Sequence, residues 1–505
     1  MILRVLFLSF VFFGGGWFGC KTPQSPPNIL FILGDDHTSQ AWGLYGSVLD
    51  SLVQNHHIRR LAEEGTLLNN VFCTNSICVP SRATILTGQY SHLNGVYTLS
   101  EGLDPEKDHV AKILQQGGYE TAIIGKWHLK EKPSGFDYYN VLPGQGRYHN
   151  PILKTAENWE EGKEYKGFSA DVIGDLAVEW LENRKNDQPF FLMCHFKATH
   201  EPFDYPERYK ELYSDVLVPE PENLLDFGTQ TSGRVFSGQV LEILQNRYEM
   251  NQGNRYPGPS FSVEGLDSIE ARRKVYQKFV KDFMRSGAAI NDNIGKLLDW
   301  LDRVGETENT VVIYTSDQGY FIGEHGFMDK RMMYEESLRM PFVIRFPEEI
   351  KAGKKLDDMI LNTDFAPLFL DYAELSQPGY MQGRSFRKNL QGKSSEDWRT
   401  QMYYRYWLHQ KQRPAHFGLR NDRYKLIFYY GQPLDLPGTH SETTDPSWEF
   451  YDLSDDPHEN INQYRNPKYS NIISQMKKDL LEEKERVGDK DENFPIVNQI
   501  IKQNW

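Results

Sequence analysis

NILFILGDDH, residues 28–37, is the stretch that decides the fold. An almost unbroken apolar run ends there in two aspartates and a histidine. The same order recurs in YETAIIGKWH (residues 119–128), PFFLMCHFKATH (189–200) and TVVIYTSDQG (310–319). Short apolar runs of this kind are typical of parallel strands that are buried on both faces. Each segment therefore predicts a buried strand with polar side chains at its carboxyl end.

Segments with apolar residues at helical spacing lie between these runs, for example FMRSGAAINDNIGKLLDWLDRV at residues 283–304. Strands that alternate with helices predict an α/β fold with a large, mostly parallel sheet flanked by helices. In such sheets the binding crevice lies at the carboxyl ends of the strands. We therefore expect the polar residues that follow the four strands to meet in one site.

The expected site combines acidic and basic side chains. Its oxygen donors are Asp35, Asp36, Asp317 and the carbonyl of Gln318. Three crowded carboxylates repel one another unless a cation lies among them, and hard oxygen ligands favour calcium or magnesium over zinc. The His-rich second metal site of a zinc-dependent phosphatase is not evident. The cationic or imidazole groups are Arg82, Lys126, His128, His200 and Lys330.

The composition limits the partners. The chain has 505 residues, of which 39% are hydrophobic and 25% charged, and its formal net charge is -14. This balance is ordinary for a globular protein with a large α/β core and a second, smaller unit. Nucleic acid needs a basic face, so we expect no nucleic-acid partner. An anionic substrate requires a locally positive pocket inside this acidic protein.

The first twenty residues differ from the rest. Arg4 is the only charged side chain in this largely apolar stretch, and GGGWFGC follows at residues 14–20. The pattern predicts a lipoprotein-type signal peptide over residues 1–20, with Cys20 lipidated, and a short tether over residues 21–27. The apolar run is short for a transmembrane anchor. We therefore expect an exported lipoprotein of the periplasm or cell envelope, bound to the membrane only through its lipid.

Three more cysteines lie downstream. An exported protein is expected to pair its cysteines, and an odd number leaves at least one unpaired or chemically altered. We interpret Cys73 and Cys194 as small buried hydrophobic residues. Cys78 differs because it opens CVPSR at a predicted helix start, where Pro80 is favourable and anions are attracted.

CVPSR at residues 78–82, with LTG at 86–88, resembles the signature of the type I sulfatases. The second signature and the metal-and-lysine block of that family resemble GYETAIIGKWHL (118–129) and SDQGYFIGEHGFMDKRMMYEESLRMPFVIRFP (316–347). The resemblance extends from residue 28 to about residue 462, ending in WEFYDLSDDPHENIN. It implies the fold of the alkaline phosphatase superfamily with a smaller C-terminal sheet domain.

In that family a dedicated maturing enzyme oxidises the cysteine to Cα-formylglycine, which lies beside a calcium ion. The resemblance implies that Cys78 is modified in this way and acts as the nucleophile, with Arg82 orienting its hydrated form. The implied calcium ligands are Asp35, Asp36, Asp317, Gln318 and the modified Cys78. Relatives often have Asn or His at position 318, and Gln keeps the carbonyl donor on a longer arm.

The resemblance also implies roles for the remaining side chains. Asp317 is expected to act as base for the attacking hydroxyl group. His200 is expected to protonate the leaving sugar oxygen, with Lys330 in support. Lys126 and Lys330 hold the sulfuryl oxygens, so that Lys126, His200 and Lys330 also bind substrate. His128 is expected to take the proton from the second hydroxyl group as sulfate leaves.

The composition changes after residue 385, so we place a catalytic domain at 28–385 and a C-terminal subdomain at 386–505. RKNLQGKSSEDW is typical of a polar linker, and MYYRYW, HFGLRNDRYKLIFYY and SWEFYDL predict a small antiparallel sheet. KKDLLEEKERVGD predicts a surface helix. MYYRYW and AHFGLR resemble stretches of sulfatases that act on sulfated sugars. The resemblance makes Arg405, His416 and Arg420 candidates for sugar or carboxylate contacts, and core or salt-bridge roles are the alternative for each.

The expected reaction is hydrolysis of a sulfuric ester. We expect removal of O-sulfate from a terminal sugar of a glycosaminoglycan, mucin or marine-glycan fragment. One alternative is a formylglycine-dependent phosphodiesterase or phosphonate hydrolase, and another is an inactive glycan-binding lipoprotein, which predicts a decayed catalytic set. The loops predicted at residues 228–239 and 251–262 either shape specificity or are solvated insertions.

Overall fold

The computed structural model describes residues 26–185, 188–227, 240–251 and 255–505. The predicted signal peptide, all but the last two residues of the tether, and the loop at 228–239 lie outside the described residues. Within the described ranges, no helix combines the length and apolar character needed to cross a membrane. The described residues of the loop predicted at 251–262 form neither helix nor strand, apart from Asn251 at the end of a helix.

An eight-stranded sheet forms the centre of the larger part of the protein. With strands numbered in chain order, it runs from edge to edge through β13 (Lys354–Leu356), β2 (Thr66–Leu68), β12 (Phe342–Arg345), β9 (Thr310–Ser316), β1 (Asn28–Asp35), β8 (Phe190–Thr199), β4 (Glu120–Lys126) and β5 (Tyr138–Leu142). Neighbouring strands are parallel except at β12, which is antiparallel to both β2 and β9. The prediction of a large, mostly parallel sheet is therefore confirmed, and the four predicted strands are its central members.

Helices cover both faces of this sheet. Ile29, Phe31 and Leu33 of β1 pack into one apolar cluster, and Leu30 and Ile32 pack into a second cluster on the opposite face. Successive side chains of a strand point to opposite faces, so burial on both sides explains the unbroken apolar run. The helices of the first face are α2 (Cys78–Thr87), α4 (Val110–Gln116) and α9 (Phe365–Tyr372), and those of the second are α1 (His56–Glu63), α5 (Ser169–Asn183) and α7 (Ser268–Val304).

Helix α7 is longer than the stretch that predicted it. Residues 283–304 form its second half, and the helix begins at Ser268. A capping box fixes this start, because the Asp267 carboxylate accepts backbone N–H groups of the first turn and the Glu270 side chain accepts the Asp267 N–H. Gly305, with φ 77°, ends the helix in the left-handed region.

A four-stranded antiparallel sheet forms the C-terminal part, as predicted. Its strands are β15 (Gln401–Tyr406), β16 (His416–Asn421), β17 (Tyr424–Tyr429) and β18 (Ser447–Asp452), in that spatial order. One face packs against the main domain near Met333, and the other is covered by α11 (Ser470–Arg486) and α12 (Pro495–Asn504). Helix α11 contains residues 477–486 of the predicted surface helix, whose last three residues lie beyond its end, and α12 is a further helix that was not predicted.

The remaining elements are short. They are the strands β3 (Val71–Phe72), β6 (Ile152–Leu153), β7 (Lys163–Glu164), β10 (Phe321–Ile322), β11 (Met328–Asp329) and β14 (Ile360–Leu361), and the helices α3 (Ser91–Asn94), α6 (Glu242–Met250), α8 (Glu335–Leu338) and α10 (Arg387–Leu390). The polar segment interpreted as a linker includes α10, and its Leu390 and Trp398 pack against the main core. It is a packed connection rather than a free spacer.

Candidate active site

The carboxyl ends of the central strands meet, as the sequence predicts. Strand β1 ends at Asp35, β9 leads into Asp317, and the backbone N–H of Asp317 donates to the Gly34 carbonyl at 3.2 Å. Asp36 follows β1 with φ 65°, and its N–H donates to Asp317 Oδ1 at 3.1 Å. The parallel register therefore places carboxylates from two strands side by side at one edge of the sheet.

Cys78 lies at the start of α2 and is fully buried. Its Sγ lies 3.4 Å from Asp35 Oδ1 and 3.6 Å from Gln318 Nε2. Burial raises the pKa of the Cys78 thiol to about 12, and the nearby Lys330 lowers it only in part. The unmodified side chain is therefore a neutral thiol at physiological pH and a poor nucleophile.

The donor set around Cys78 fits a hard cation. The side chains of Asp35, Asp36 and Asp317 are fully buried, and Asp35, Cys78 and Asp317 each offer a ligand atom within 4.8 Å of the others. Burial raises the pKa of Asp317 to about 7, despite the lowering effect of the neighbouring Arg82. Gln318 Oε1 is buried and accepts no hydrogen bond among the residues that the structure describes. Three carboxylates and an unpartnered amide oxygen are ligands that suit calcium.

Buried cations surround the carboxylates. The Lys126 ammonium donates to Asp35, and Lys330 Nζ donates to both oxygens of Asp36 at 2.7 and 2.6 Å. Arg82 donates to Asp317 Oδ2 from Nε at 3.0 Å and pairs with it through Nη2 at 2.9 Å. Each carboxylate is thus paired with at least one cation, Arg82 Nη2 also lying 3.8 Å from Asp35 Oδ1. A bound metal ion would make the pocket net positive and attractive to an anion.

Two histidines border this cluster in their neutral forms. His128 follows β4 with φ 59°, and its Nδ1 is buried with no hydrogen-bond partner in the described part of the chain. Burial, reinforced by Lys126, lowers the pKa of His128 to about 2. His200 is 17% exposed, and its Nε2 lies 3.9 Å from Asp36 Oδ2. Its Nδ1 faces the Glu201 carbonyl at 2.9 Å and therefore carries a proton, which leaves Nε2 facing the carboxylates.

Arg405, His416 and Arg420 belong to the packing of the C-terminal part, which corrects the expectation of sugar contacts. Arg405 is 1% exposed, and its Nη1 lies 2.6 Å from Asp489 and 2.7 Å from Asp491. His416 is enclosed by tyrosine rings, and its Nδ1 lies 2.8 Å from the carbonyl of Pro414. The Arg420 guanidinium pairs with Glu335 at 3.1 Å over the ring of Phe72. The alternative roles, in salt bridges or in the packed core, therefore apply to Arg405, His416 and Arg420.

Other polar residues near the pocket were not predicted. Gln145 Oε1 accepts a hydrogen bond of 2.6 Å from Lys126 Nζ, although nothing in its Gly-rich loop marks it. Lys197 lies on β8 with its ammonium 4.5 Å from the ring centroid of Tyr148, and burial lowers the pKa of Lys197 to about 8. The sequence KATH places Lys197 three residues before His200 at the carboxyl end of β8, and this position indicates that Lys197 is near the site.

A partly buried ion-pair cluster flanks Lys330. Asp329 Oδ2 accepts from Arg331 Nε at 2.9 Å and from Arg413 Nη1 at 2.6 Å, and Arg331 also donates to the Tyr406 hydroxyl at 3.1 Å. Asp329 and Arg331 adjoin Lys330 in the sequence, but Arg413 lies 84 residues from Asp329. Such a set of fixed donors and acceptors suits the hydroxyl groups of a sugar.

Comparison with known proteins agrees with this arrangement. The family model described as Sulfatase matches residues 27–375, and the one described as N-sulphoglucosamine sulphohydrolase, C-terminal, matches residues 323–486. The chain is 36% identical over 519 residues to N-acetylglucosamine-6-O-sulfatase of Bacteroides thetaiotaomicron, covering 94% of this chain and 89% of that protein.

Solved structures are similar over almost the whole chain. The structure of BT4656 in complex with its substrate D-glucosamine-2-N,6-O-disulfate has a TM-score of 0.84 and 33% identity, covering 93% of this chain and 100% of that one. Phosphonate monoester hydrolase of Agrobacterium radiobacter has a TM-score of 0.70 at 18% identity, covering 91% of this chain and 96% of that one, and shows the shared fold alone. With its strand-end site and these relatives, the chain belongs to the sulfatase family, whose members hydrolyse sulfate esters on an alkaline phosphatase-like fold.

Proposed function

We propose that the protein is a carbohydrate sulfatase that removes the 6-O-sulfate group from a terminal glucosamine residue. The observation that carries this proposal is Cys78, which lies at a helix start against three carboxylates that are themselves paired with Arg82, Lys126 and Lys330. Anionic esters are attracted to such a site, and the strand ends hold every group in place before substrate arrives.

Position 78 is proposed to carry Cα-formylglycine made by a sulfatase-maturing enzyme. The hydrated aldehyde would supply a hydroxyl group as the nucleophile. Its carbon bears a second hydroxyl group, so the aldehyde can re-form and release sulfate, which an ordinary serine or cysteine ester cannot do. The high pKa of the thiol supports this proposal, because unmodified Cys78 remains protonated. Gln318 and the three aspartates are proposed to hold calcium, which supplies positive charge next to the sulfuryl oxygens.

The chain's own side chains bind and orient the ester. Lys126 and Lys330 are positioned to contact the sulfuryl oxygens, and Arg82 fixes Asp317 through two guanidinium nitrogens. When substrate binds, Lys126 and Lys330 would donate hydrogen bonds to the sulfuryl oxygens in place of the carboxylates of Asp35 and Asp36. There they stabilise the charge that develops during the reaction. Asp317 is proposed as base for the attacking hydroxyl group.

The two histidines are proposed to handle protons at different steps. His128 is neutral with a free buried Nδ1, so it can accept the proton of the second hydroxyl group when sulfate leaves. The Nε2 atom of His200 faces the carboxylates of the site. The negative charge of a bound sulfate ester favours protonation of this nitrogen, and His200 then delivers the proton to the leaving oxygen. Both assignments follow from where the ring nitrogens point.

The sugar is inferred from two kinds of support. Two of the proteins named above support it: one is an N-acetylglucosamine-6-O-sulfatase, and the other was solved in complex with its substrate D-glucosamine-2-N,6-O-disulfate. Next to Lys330, the cluster of Asp329, Arg331 and Arg413 offers both a carboxylate and guanidinium groups to sugar hydroxyls. Fragments of glycosaminoglycans or mucins that end in such a sugar are the proposed substrates.

The protein is further proposed to be exported and anchored to the membrane through a lipid. A lipid on Cys20 would anchor the enzyme at the cell envelope, where glycan fragments arrive from outside the cell. Retention in the membrane fraction of the intact protein and release of the Cys20→Ala variant into the soluble fraction test the anchor. Equal retention of both proteins would contradict it.

The proposal is tested by the mass of the active-site peptide that spans Cys78, from protein produced together with a maturing enzyme. We expect an aldehyde at position 78 and sulfate release from glucosamine 6-sulfate at a rate far above that from an aryl phosphate diester. An intact thiol, with the maturing enzyme active on a control protein, would contradict the mechanism. Faster hydrolysis of the phosphate diester would favour the phosphodiesterase alternative.

A further inference from the structure

A second cavity lies on the C-terminal part, at the α11 and α12 side. It has a volume of about 480 Å³. We call it the outer cavity, and its lining includes Tyr464, Arg465, Ser470, Lys477, Lys478 and Trp505. Aromatic rings, hydroxyl-bearing side chains and three cations therefore share one concave surface.

Two aromatic residues, Tyr464 and Trp505, form the aromatic wall of the outer cavity, and both pack against the buried Trp448. Trp448 and Tyr464 stack with ring planes 6° apart and centroids 5.6 Å apart, and Trp505 packs edge-on against Trp448 at 4.8 Å. Lys477 Nζ lies 4.2 Å from the Trp448 centroid and 5.4 Å from that of Tyr464. Flat rings pack well against the apolar C–H faces of a pyranose, and a cation beside them can pair with an anionic substituent of such a sugar.

The cations of the outer cavity lack carboxylate partners. Arg465, Lys477 and Lys478 form no ion pair with any residue that the structure describes, whereas nearby Lys468 pairs with Asp455 at 3.3 Å. Burial lowers the pKa of Lys477, and no carboxylate of the described residues offsets this partial desolvation. In a protein with a net charge of -14, three unpaired cations in one cavity favour an anionic ligand.

The outer cavity is separate from the catalytic pocket. Alternate residues of the C-terminal sheet point to opposite faces. The Tyr404 hydroxyl donates to the carbonyl of Arg331 on the catalytic side, whereas the ring of Phe417 lies 5.8 Å from Lys484 of α11 on the other side. A ligand in the outer cavity therefore does not touch the groups around Cys78.

We propose that the outer cavity is a binding site for a sulfated or carboxylated saccharide, distinct from the catalytic pocket. It would hold a polyanionic glycan through pyranose contacts with the aromatic wall and through anionic groups at Arg465, Lys477 and Lys478. Held in this way, a long glycan stays near the enzyme between catalytic events. The site requires no turnover, so it goes beyond the proposed function and can be tested without it.

The test measures binding of a heparin decasaccharide to the full chain with Cys78→Ala, in the presence of saturating glucosamine 6-sulfate to occupy the catalytic pocket. The variant Arg465→Gln/Lys478→Gln removes two exposed charges, and we expect about fivefold to tenfold weaker binding. Lys166→Gln/Lys185→Gln removes two exposed charges elsewhere and is the matched control, for which we expect less than a twofold change. A third variant, Lys477→Met, keeps the packing of the stem and is expected to weaken binding further when added to the first pair.

Several results would overturn the proposal. These are equal losses in the test and control variants, no loss in either, or undiminished binding of a decasaccharide that has been fully desulfated, N-acetylated and reduced at its carboxylates. Tighter binding to vesicles of anionic phospholipid than to the saccharide would assign the surface to membranes instead. In the chain with Cys78 intact, turnover of glucosamine 6-sulfate should be the same with and without Arg465→Gln/Lys478→Gln. Absence of all turnover would contradict the proposed function but leave the binding result valid.

Discussion

Replacing Arg405 with methionine separates a structural role from a substrate-binding role. The guanidinium is 1% exposed and pairs with both Asp489 and Asp491, and it lies 3.5 Å from the ring centroid of Trp407. Methionine fills a similar volume but leaves the two carboxylates without this partner. We therefore expect Arg405→Met to lower the free energy of unfolding and to leave the KM for a sulfated monosaccharide unchanged.

The expected magnitude follows from the surroundings of the two carboxylates. Removing one partner of a buried ion pair typically costs about 3–5 kcal/mol, because a desolvated charge is left behind. Here Lys484 remains, with Nζ 2.7 Å from Asp491 and 3.3 Å from Asp489, and the Tyr403 hydroxyl still donates to Asp489 at 2.5 Å. The remaining donors place the expected loss at the lower end, about 3 kcal/mol.

The assay is urea unfolding of the full chain followed by tryptophan fluorescence, together with Michaelis kinetics on glucosamine 6-sulfate. Arg303→Met is the matched control, because Arg303 pairs with Glu182 at 2.7 Å and both side chains are exposed, by 61% and 48%. We expect the control to unfold at nearly the same urea concentration as the wild type. An Arg405→Met protein with an unchanged unfolding midpoint and a raised KM would refute the structural assignment.

Three further perturbations have defined outcomes. Gln145→Leu removes the 2.6 Å hydrogen bond to Lys126, and we expect about a tenfold loss in kcat/KM. Gln145→Glu keeps an acceptor for Lys126 and should restore the activity. An equal loss in both variants would mean that the hydrogen-bond acceptor at position 145 does not support catalysis. Calcium removal by a chelator should abolish sulfatase activity, and calcium but not zinc should restore it, since the donors are hard oxygens; full activity of protein shown by elemental analysis to be metal-free would exclude this role. Burial lowers the pKa of His109 to about 3, so between pH 6.5 and 3 the unfolded chain binds a proton there that the folded chain does not, and stability falls as the pH falls. His109→Asn should therefore retain about 2 kcal/mol more stability than the wild type on going from pH 7.5 to pH 5, measured by urea unfolding, and an identical pH dependence would contradict the assignment.

The central sheet and the catalytic cluster could be predicted from the sequence because local patterns encode both. The run at residues 28–37 is apolar on both faces and ends in two aspartates, so strand burial and site position follow from one segment. Parallel topology then brings Asp35 and Asp317 together across 282 residues without any further signal. The helix start at Cys78 likewise follows from its own neighbours.

Residues whose environment depends on distant partners could not be assigned in this way. Arg405 appears in an aromatic strand, a pattern equally suited to sugar binding, but its carboxylate partners lie 84 and 86 residues away. Gln145 reaches Lys126 only because the loop after β5 folds back over the pocket. Helix α12, in contrast, could be predicted from local features, because Pro495 is its first residue and Val497, Ile500 and Ile501 recur at helical spacing.

Sulfate release from N-acetylglucosamine 6-sulfate is the decisive measurement for a formylglycine-dependent sulfatase that acts on 6-O-sulfated glucosamine. The matured protein and its Cys78→Ala variant are compared, with N-acetylgalactosamine 4-sulfate as the second substrate. We expect release from the 6-sulfate, at least about tenfold less from the 4-sulfate, and none with the variant. Equal release by the variant, or preference for the 4-sulfate, would contradict it.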